Sequence, residues 1–395
     1  MSVGGRTWIR RRLRNDGPVR ALPAGPVYLV WGVFVIPMFL VAGLVLSWTA
    51  IALLRRVAPA LGLLDNPGGP NGRKTHAAPT PVIGGLGIAA GLAAGLALTG
   101  SAAGAPAALV VAMLAIVALG AADDRFDLPK ALRFAVQIAA GLAVAWAAGV
   151  HELPILAAAL GVAVPAPLAL AAAGVAVAAL INAVNWLDGL DGLLGALALV
   201  SLTVLLYFLA GTGDTFLVAL LALTAGAVVA FLGFNLRRPG RPRAAVFLGD
   251  AGSGLIAVIL GYAMLAIARV EGHDPLVMVG AGNGIFFADM AFVMGLRLLT
   301  HGRPWRCDRT HLHHRLTDRG LGVTETVLVA ASAHALFLGL QASAVAPDPG
   351  LALPGALALA SVAAAVIAGR RSVQIQRHLP ALARLREGPR EPAGR

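Results

Sequence analysis

The sequence predicts an all-α integral membrane protein, a polytopic bundle of ten to eleven transmembrane helices. Three observations lead there. Mean hydropathy is +0.81, with 58% hydrophobic and 13% charged residues, whereas soluble domains carry about a quarter charged residues. Apolar stretches of roughly 17 to 25 residues, rich in Ala and Leu with Gly interspersed, recur along nearly the whole length, which is the signature of helical spans rather than of a barrel. The net charge of +12 is scattered between these runs instead of being massed in one soluble module, so it speaks for membrane topology and against a nucleic-acid partner.

In chain order, spans are expected near 30–54, 82–98, 105–122, 133–149, 167–184, 193–210, 215–235, 251–268, 276–299, 325–345 and 352–369. The loops between them fall into two classes. One carries Arg55 and Arg56 with Arg73 and Lys74, then Arg125, Lys130 and Arg133, then Arg237, Arg238, Arg241 and Arg243, then Arg297 to Arg319, and finally the tail from Arg370. The other, near 100–105, 149–154, 211–214, 269–274 and 346–350, has Arg269 as its one cation. Lys and Arg are retained on the cytoplasmic side, so the first class is expected to be cytoplasmic in a multi-pass protein. The Ala-, Gly- and Arg-rich composition is associated with GC-rich bacterial genomes, which makes a bacterial cytoplasmic (inner) membrane the expected location.

One segment resists this scheme. An odd number of spans with the tail inside puts the N-terminus outside, yet six arginines from Arg6 to Arg20 precede the first span. The expectation is a basic arm over 1–26 that is disordered or reflects a mis-assigned start, a transmembrane domain over 27–369, and an Arg-rich cytoplasmic tail over 370–395. A secretory signal is disfavoured, since the run from Val27 is too long. The single cysteine, Cys307, rules out an internal disulfide.

Four polar clusters sit where apolar runs meet basic loops, all on the side assigned as cytoplasmic. Carboxylates at the edge of hydrocarbon are costly unless paired, metal-bound or wet, so their recurrence at one depth points to a site. Asp123, Asp124 and Asp127 leave an apolar helix beside Lys130 and Arg133; three carboxylates so close can hold Mg²⁺ directly or through water, or form a solvated helix end. Asn185, Asp188 and Asp191 recur every third residue and would stack near one face of a helix, while Gly189 and Gly192 permit close approach. That set suits a hard cation or, alternatively, an interhelical polar network.

Asp250, within Gly249-Asp250-Ala251-Gly252-Ser253, begins another span. Free N–H groups and the positive helix end favour phosphate there, and the carboxylate can bring a metal to the same point, unless it is a simple N-cap. His311, His313 and His314 lie among Arg303, Arg306, Arg309, Arg315 and Arg319, a density of positive charge that favours an anion over zinc. Arg73, Lys74 and His76 form a basic, turn-rich approach to the second span, readable as phosphate contacts or as topology alone.

Together these strings resemble the polyprenyl-phosphate N-acetylhexosamine-1-phosphate transferases, the MraY/WecA family, from about Leu61 to about Gly322. The resemblance is carried by Arg73-Lys74 with His76 before Pro-Val-Ile-Gly-Gly, by Asp-Asp-Arg-Phe-Asp, by Asn-Trp-Leu-Asp-Gly-Leu-Asp-Gly, by Phe-Leu-Gly-Asp-Ala-Gly-Ser and by Asp-Arg-Thr-His-Leu-His-His-Arg-Leu. It implies transfer of a sugar 1-phosphate from a UDP-sugar to a polyprenyl phosphate with release of UMP, using Mg²⁺ or, in its place, Mn²⁺. Asn185 and Asp250 are then expected as metal ligands, Asp123 and Asp124 on the lipid phosphate, and Asp188 and Asp191 in support of metal and nucleotide. Arg73, Lys74, Asn235, Arg309, His311, His313 and His314 are expected to hold substrate.

The His-Leu-His-His string resembles the WecA-like branch, which implies UDP-N-acetylglucosamine and undecaprenyl phosphate, the first membrane step of cell-envelope polysaccharide synthesis. Another UDP-N-acetylhexosamine or UDP-MurNAc-pentapeptide is the alternative donor, and self-association as a homodimer is left open. A membrane prenyltransferase would share Asp-Asp-x-x-Asp but leaves the Gly-Asp-Ala-Gly-Ser and histidine clusters unexplained. A transporter predicts acids near the midplane and internal repeats, and neither is seen in the sequence.

Overall fold

A computed structural model of the chain describes residues 34–68, 78–209, 214–301 and 309–345. Among the described residues there are thirteen α-helices and one antiparallel ladder of two-residue strands, Leu64–Asp65 (β1) with Thr80–Pro81 (β2). In order the helices are α1 (Ile36–Leu61), α2 (Gly84–Leu98), α3 (Ala107–Phe126), α4 (Lys130–Ala147), α5 (Pro154–Leu160), α6 (Ala166–Leu187), α7 (Leu193–Leu209), α8 (Thr215–Asn235), α9 (Gly249–Glu271), α10 (Pro275–Gly282), α11 (Gly284–His301), α12 (Leu312–Asp318) and α13 (Val323–Val345). The all-α, polytopic expectation holds.

Seven helices, α1, α3, α4, α6, α8, α9 and α13, are long and apolar enough to cross a bilayer. Two further expected spans appear as shorter apolar helices, α2 and α7. The expected span at 352–369, the basic arm and the Arg-rich tail lie outside the described residues.

The stretch expected as one span over 276–299 is instead two helices, α10 and α11, bent by 82°. The reason lies at Asn283, which is fully buried at the break. Its side-chain amide donates to the Val279 carbonyl at 3.1 Å and to Met264 Sδ at 2.9 Å. That takes up a carbonyl of the helical ladder and ties the break to α9, so the chain leaves in a new direction.

Helices α8 and α9 are buried over nearly their whole length and the others pack around them. Lipid tails are as apolar as leucine, so such packing depends on close backbone approach at small residues. Along the α1–α8 seam, a Cβ on Gly43 would strike the Leu223 carbonyl and one on Gly226 the Leu40 carbonyl. The segment after β2 continues this economy at the site: Val82 bridges Phe247 in parallel, and Gly84 and Gly85 donate to the Phe247 and Leu248 carbonyls at 2.9 and 2.8 Å. This pins the loop that leads into α9.

Candidate active site

Three helix ends meet: the C-terminal ends of α3 and α6 and the N-terminal end of α9. Helix α3 stops because Asp127 turns left-handed (φ 50°) and Pro129 follows. The Asp123 carboxylate secures the turn by accepting the Leu128 N–H at 2.8 Å. The chain doubles back into α4, whose first turn carries Arg133 into an ion pair with Asp123 and to 3.7 Å from Asp250.

Asp250 stands at the start of α9, after Gly249 in a positive-φ conformation (76°) that a side chain would strain and crowd against Asp124. Its backbone N–H donates to the Asp124 carboxylate at 3.1 Å, so one orphan donor of this helix end is held by protein rather than left open to phosphate. From α6, the Asn185 amide donates to Asp250 Oδ1 at 2.7 Å and to Ser253 Oγ at 3.1 Å. Gly120 lets α3 come this close, since a Cβ there would meet the Asp250–Ala251 backbone. A small open cavity remains, with Asp123, Arg133, Gln137, Asn185, Asp250 and Ser253 as its polar wall and Ile116, Leu119 and Ile181 as its apolar one.

Asp188 lies just beyond α6. Burial, with the Asp250 and Asp191 carboxylates nearby, pushes its carboxyl up to about 7. An excess of carboxylates over cations at one point, presenting only oxygen donors and one amide, fits a hard divalent ion such as Mg²⁺. Among the described residues no three of His, Cys, Asp and Glu are grouped to hold a metal by themselves. Mg²⁺ commonly takes one or two protein carboxylates and completes its shell with water and substrate phosphate, which is the role Asn185 and Asp250 can fill.

The loop from Asp188 to Gly192 is held from below. Buried Asn235 accepts the Gly192 N–H at 2.5 Å and donates to the Val246 carbonyl at 2.9 Å, stapling this loop to the one that precedes α9. Asp191 pairs with Arg237 Nε at 2.7 Å. The amide of Asn235, expected to hold substrate, is thus engaged by backbone here.

The histidine loop packs against the same edge. His313 is 2% exposed and faces Gly189 so closely that a Cβ there would meet its Nε2. Burial, then His314 and His311, push His313 down to about 3, and burial with Arg309 lowers His314. His311 stacks beside His313 with ring centres 5.8 Å apart and meets Trp186 edge-on at 5.7 Å. Arg309 pairs with Asp318 at 2.8 Å on α12. Arg73 and Lys74 lie outside the described residues.

The structure therefore gathers Asp123, Asp124, Asn185 and Asp250 at one point, sets Asp188 and Asp191 on the adjoining loop, and lays the histidines along it. Sequence reasoning missed Asp289 on α11, 6% exposed, whose carboxylate accepts the Leu312 N–H at 2.7 Å and bonds His311 Nδ1 at 2.7 Å. A signal existed: a lone carboxylate inside an apolar run is by default a functional residue.

Residues 106–268, which hold the three helix ends, match the model of a family described as glycosyl transferase family 4. The chain is 31% identical over 294 residues to an undecaprenyl-phosphate alpha-N-acetylglucosaminyl 1-phosphate transferase of Yersinia pestis, covering 73% of this chain and 79% of that protein. A protein of the same name from Salmonella typhi is 31% identical over 301 residues, covering 74% and 80%. The one from Haemophilus influenzae is 28% identical over 290 residues, covering 72% and 79%.

Proposed function

This chain belongs to glycosyl transferase family 4, and we propose that it transfers N-acetylglucosamine 1-phosphate from UDP-GlcNAc to undecaprenyl phosphate, releasing UMP. The names of its relatives support the substrates. The observation that carries the reading is the meeting of Asn185 with Asp250 at 2.7 Å, where the Asp250 N–H also donates to Asp124 at 3.1 Å. The distribution of Lys and Arg supports a cytoplasmic site in the inner membrane.

In the transfer, an oxygen of the lipid phosphate attacks the β-phosphorus of the sugar nucleotide. One P–O bond forms, the bond from that phosphorus to the bridging oxygen breaks, and UMP leaves with that oxygen and its electron pair. A phosphate monoester has its second pKa near about 6, so the acceptor is largely ionised at neutral pH and a strong base is unnecessary. Positioning and charge neutralisation carry most of the work.

Asp123 and Asp124 orient the lipid phosphate and take up any residual proton, with Arg133 lending positive charge beside them. Asn185 and Asp250 would hold Mg²⁺, which would supply neutralising charge to the diphosphate. Asp188 and Asp191 shape the nucleotide edge, and Asn235 serves it through the loop it staples. His311, His313, His314 and Arg309 form the wall toward the sugar and phosphates, and Arg73 and Lys74, which lie outside the described residues, are proposed from the sequence alone as cationic contacts to a phosphate.

The test is a panel of UDP-sugars offered with undecaprenyl phosphate to purified protein in Mg²⁺, scored for UMP. UDP-GlcNAc should be turned over. Turnover of UDP-MurNAc-pentapeptide but not UDP-GlcNAc would move the chain to the other branch, and no UMP from any donor would sink the reading.

A further inference from the structure

Behind the histidine loop lies a closed box of four side chains that the proposed reaction leaves unexplained: Asp289 and Arg297 from α11, His311 from the loop and Trp186 from the end of α6. Asp289 is 6% and Arg297 3% exposed, an expensive pair to bury unless each is matched. The matching is specific. Asp289 Oδ2 lies 2.7 Å from His311 Nδ1, while Oδ1 accepts the Leu312 N–H at 2.7 Å. On the other side of the imidazole, Arg297 Nη2 lies 3.3 Å from Nε2. The Arg297 guanidinium also sits over the Trp186 ring at 5.4 Å.

A guanidinium can only donate, so His311 Nε2 facing it must accept. A carboxylate can only accept, so Nδ1 must carry the proton. Both partners thus demand one tautomer, neutral His311 protonated on Nδ1, and both ring nitrogens are taken by protein groups. We propose that Asp289 is a positioning residue for the sugar-nucleotide wall: it fixes His311 in the Nδ1–H tautomer and caps the start of α12, and through this it sets where His313 and His314 stand relative to Asn185. His311 then acts as the pivot of the loop, and contact with substrate falls to its neighbours. The coupling to the metal residues is short, because Trp186, against which both Arg297 and His311 pack, is the residue after Asn185.

This rests on the proposed transferase reading for its kinetic consequence and is independent of it for its spectroscopic one. The experiment is ¹⁵N-histidine NMR of the purified full chain in nanodiscs, with His311 assigned by the signal missing in His311→Gln, alongside UMP-release kinetics of wild type and Asp289→Asn. Wild type should show His311 protonated on Nδ1 alone. Asn at 289 keeps an acceptor for Leu312 but can offer a donor to the ring. The variant should therefore retain its fold and lose the Nδ1–H signature, with kcat/KM for UDP-GlcNAc lower by about tenfold or more, the scale known for the hydrogen-bond partners of metal-ligating histidines. Its KM for undecaprenyl phosphate should hardly move. A wild-type His311 protonated on Nε2, or on both nitrogens, overturns the proposal whatever the variants do, and so does an Asp289→Asn enzyme with wild-type kcat and KM. If wild type releases no UMP yet shows the Nδ1–H signature, the transferase reading fails and the tautomer assignment stands.

Discussion

The Asp124 carboxylate accepts the backbone N–H of Asp250 at 3.1 Å. This one bond joins α3, which carries the pair assigned to the lipid phosphate, to α9, which carries the pair partner of Asn185. The residues proposed for the acceptor and for the metal are therefore not merely neighbours: the second of the paired aspartates helps to set where Asp250 begins its helix. Arg133 ties the same two elements from the other side, pairing with Asp123 and reaching Asp250 at 3.7 Å.

Replacing Asp124 separates its two duties. Asp124→Asn keeps an oxygen for the Asp250 N–H and should leave thermal stability near wild type while UMP release falls by at least about a hundredfold. Asp124→Ala also strands a buried donor, at a cost of about 1–3 kcal/mol, and should melt earlier than the Asn variant. Differential scanning fluorimetry in detergent, run beside the activity assay, reads both; equal melting of the two variants would contradict the structural duty.

Gly120 should tolerate nothing larger. Its missing Cβ is the space taken by the Asp250–Ala251 backbone, which has no flexible end to move aside. Gly120→Val is expected to destabilise by about 1–3 kcal/mol through overpacking and to lower kcat more than the KM for UDP-GlcNAc, because it shifts Asp250 from Asn185. Wild-type activity in that variant would show that the close approach of α3 and α9 is not needed.

His313 supplies a pH signature. Burial and its histidine neighbours hold it at about 3 in the fold, against about 6.5 in an unfolded chain. Between those values the unfolded chain binds a proton that the folded one refuses, so this contribution is complete above about pH 6.5 and is lost as pH falls toward 3. From pH 7 to pH 5 the loss is about 2 kcal/mol. His313→Gln should flatten the fall in unfolding stability over that range, and identical slopes for wild type and variant would refute the assignment.

The fold and most of the site were legible for one physical reason. Carboxylates and amides at the ends of apolar runs are costly there, so Asp123, Asp124, Asn185 and Asp250 stood out, and they do converge. What hid from sequence was tertiary pairing. Asp289 looked like part of a plain span, yet it is matched by His311 and Arg297 from elsewhere along the chain. The 82° break was marked only by Asn283 among Gly280, Gly282 and Gly284, glycines being common in membrane helices, and what fixes it is the bonding of Asn283 to the Val279 carbonyl and to Met264 on α9. The backbone employment of Asn235 likewise depends on Gly192 and Val246, two loops that only the fold brings together.

The most direct measurement of the central claim is Mg²⁺-dependent UMP release from UDP-GlcNAc with undecaprenyl phosphate, compared among wild type, Asp250→Asn and Asn185→Ala in purified membranes. The account predicts rapid release by wild type that EDTA abolishes and Mg²⁺ restores. It predicts none above background from Asp250→Asn, and from Asn185→Ala a demand for Mg²⁺ raised by about ten- to a hundredfold. Normal turnover by Asp250→Asn at ordinary Mg²⁺ would contradict it.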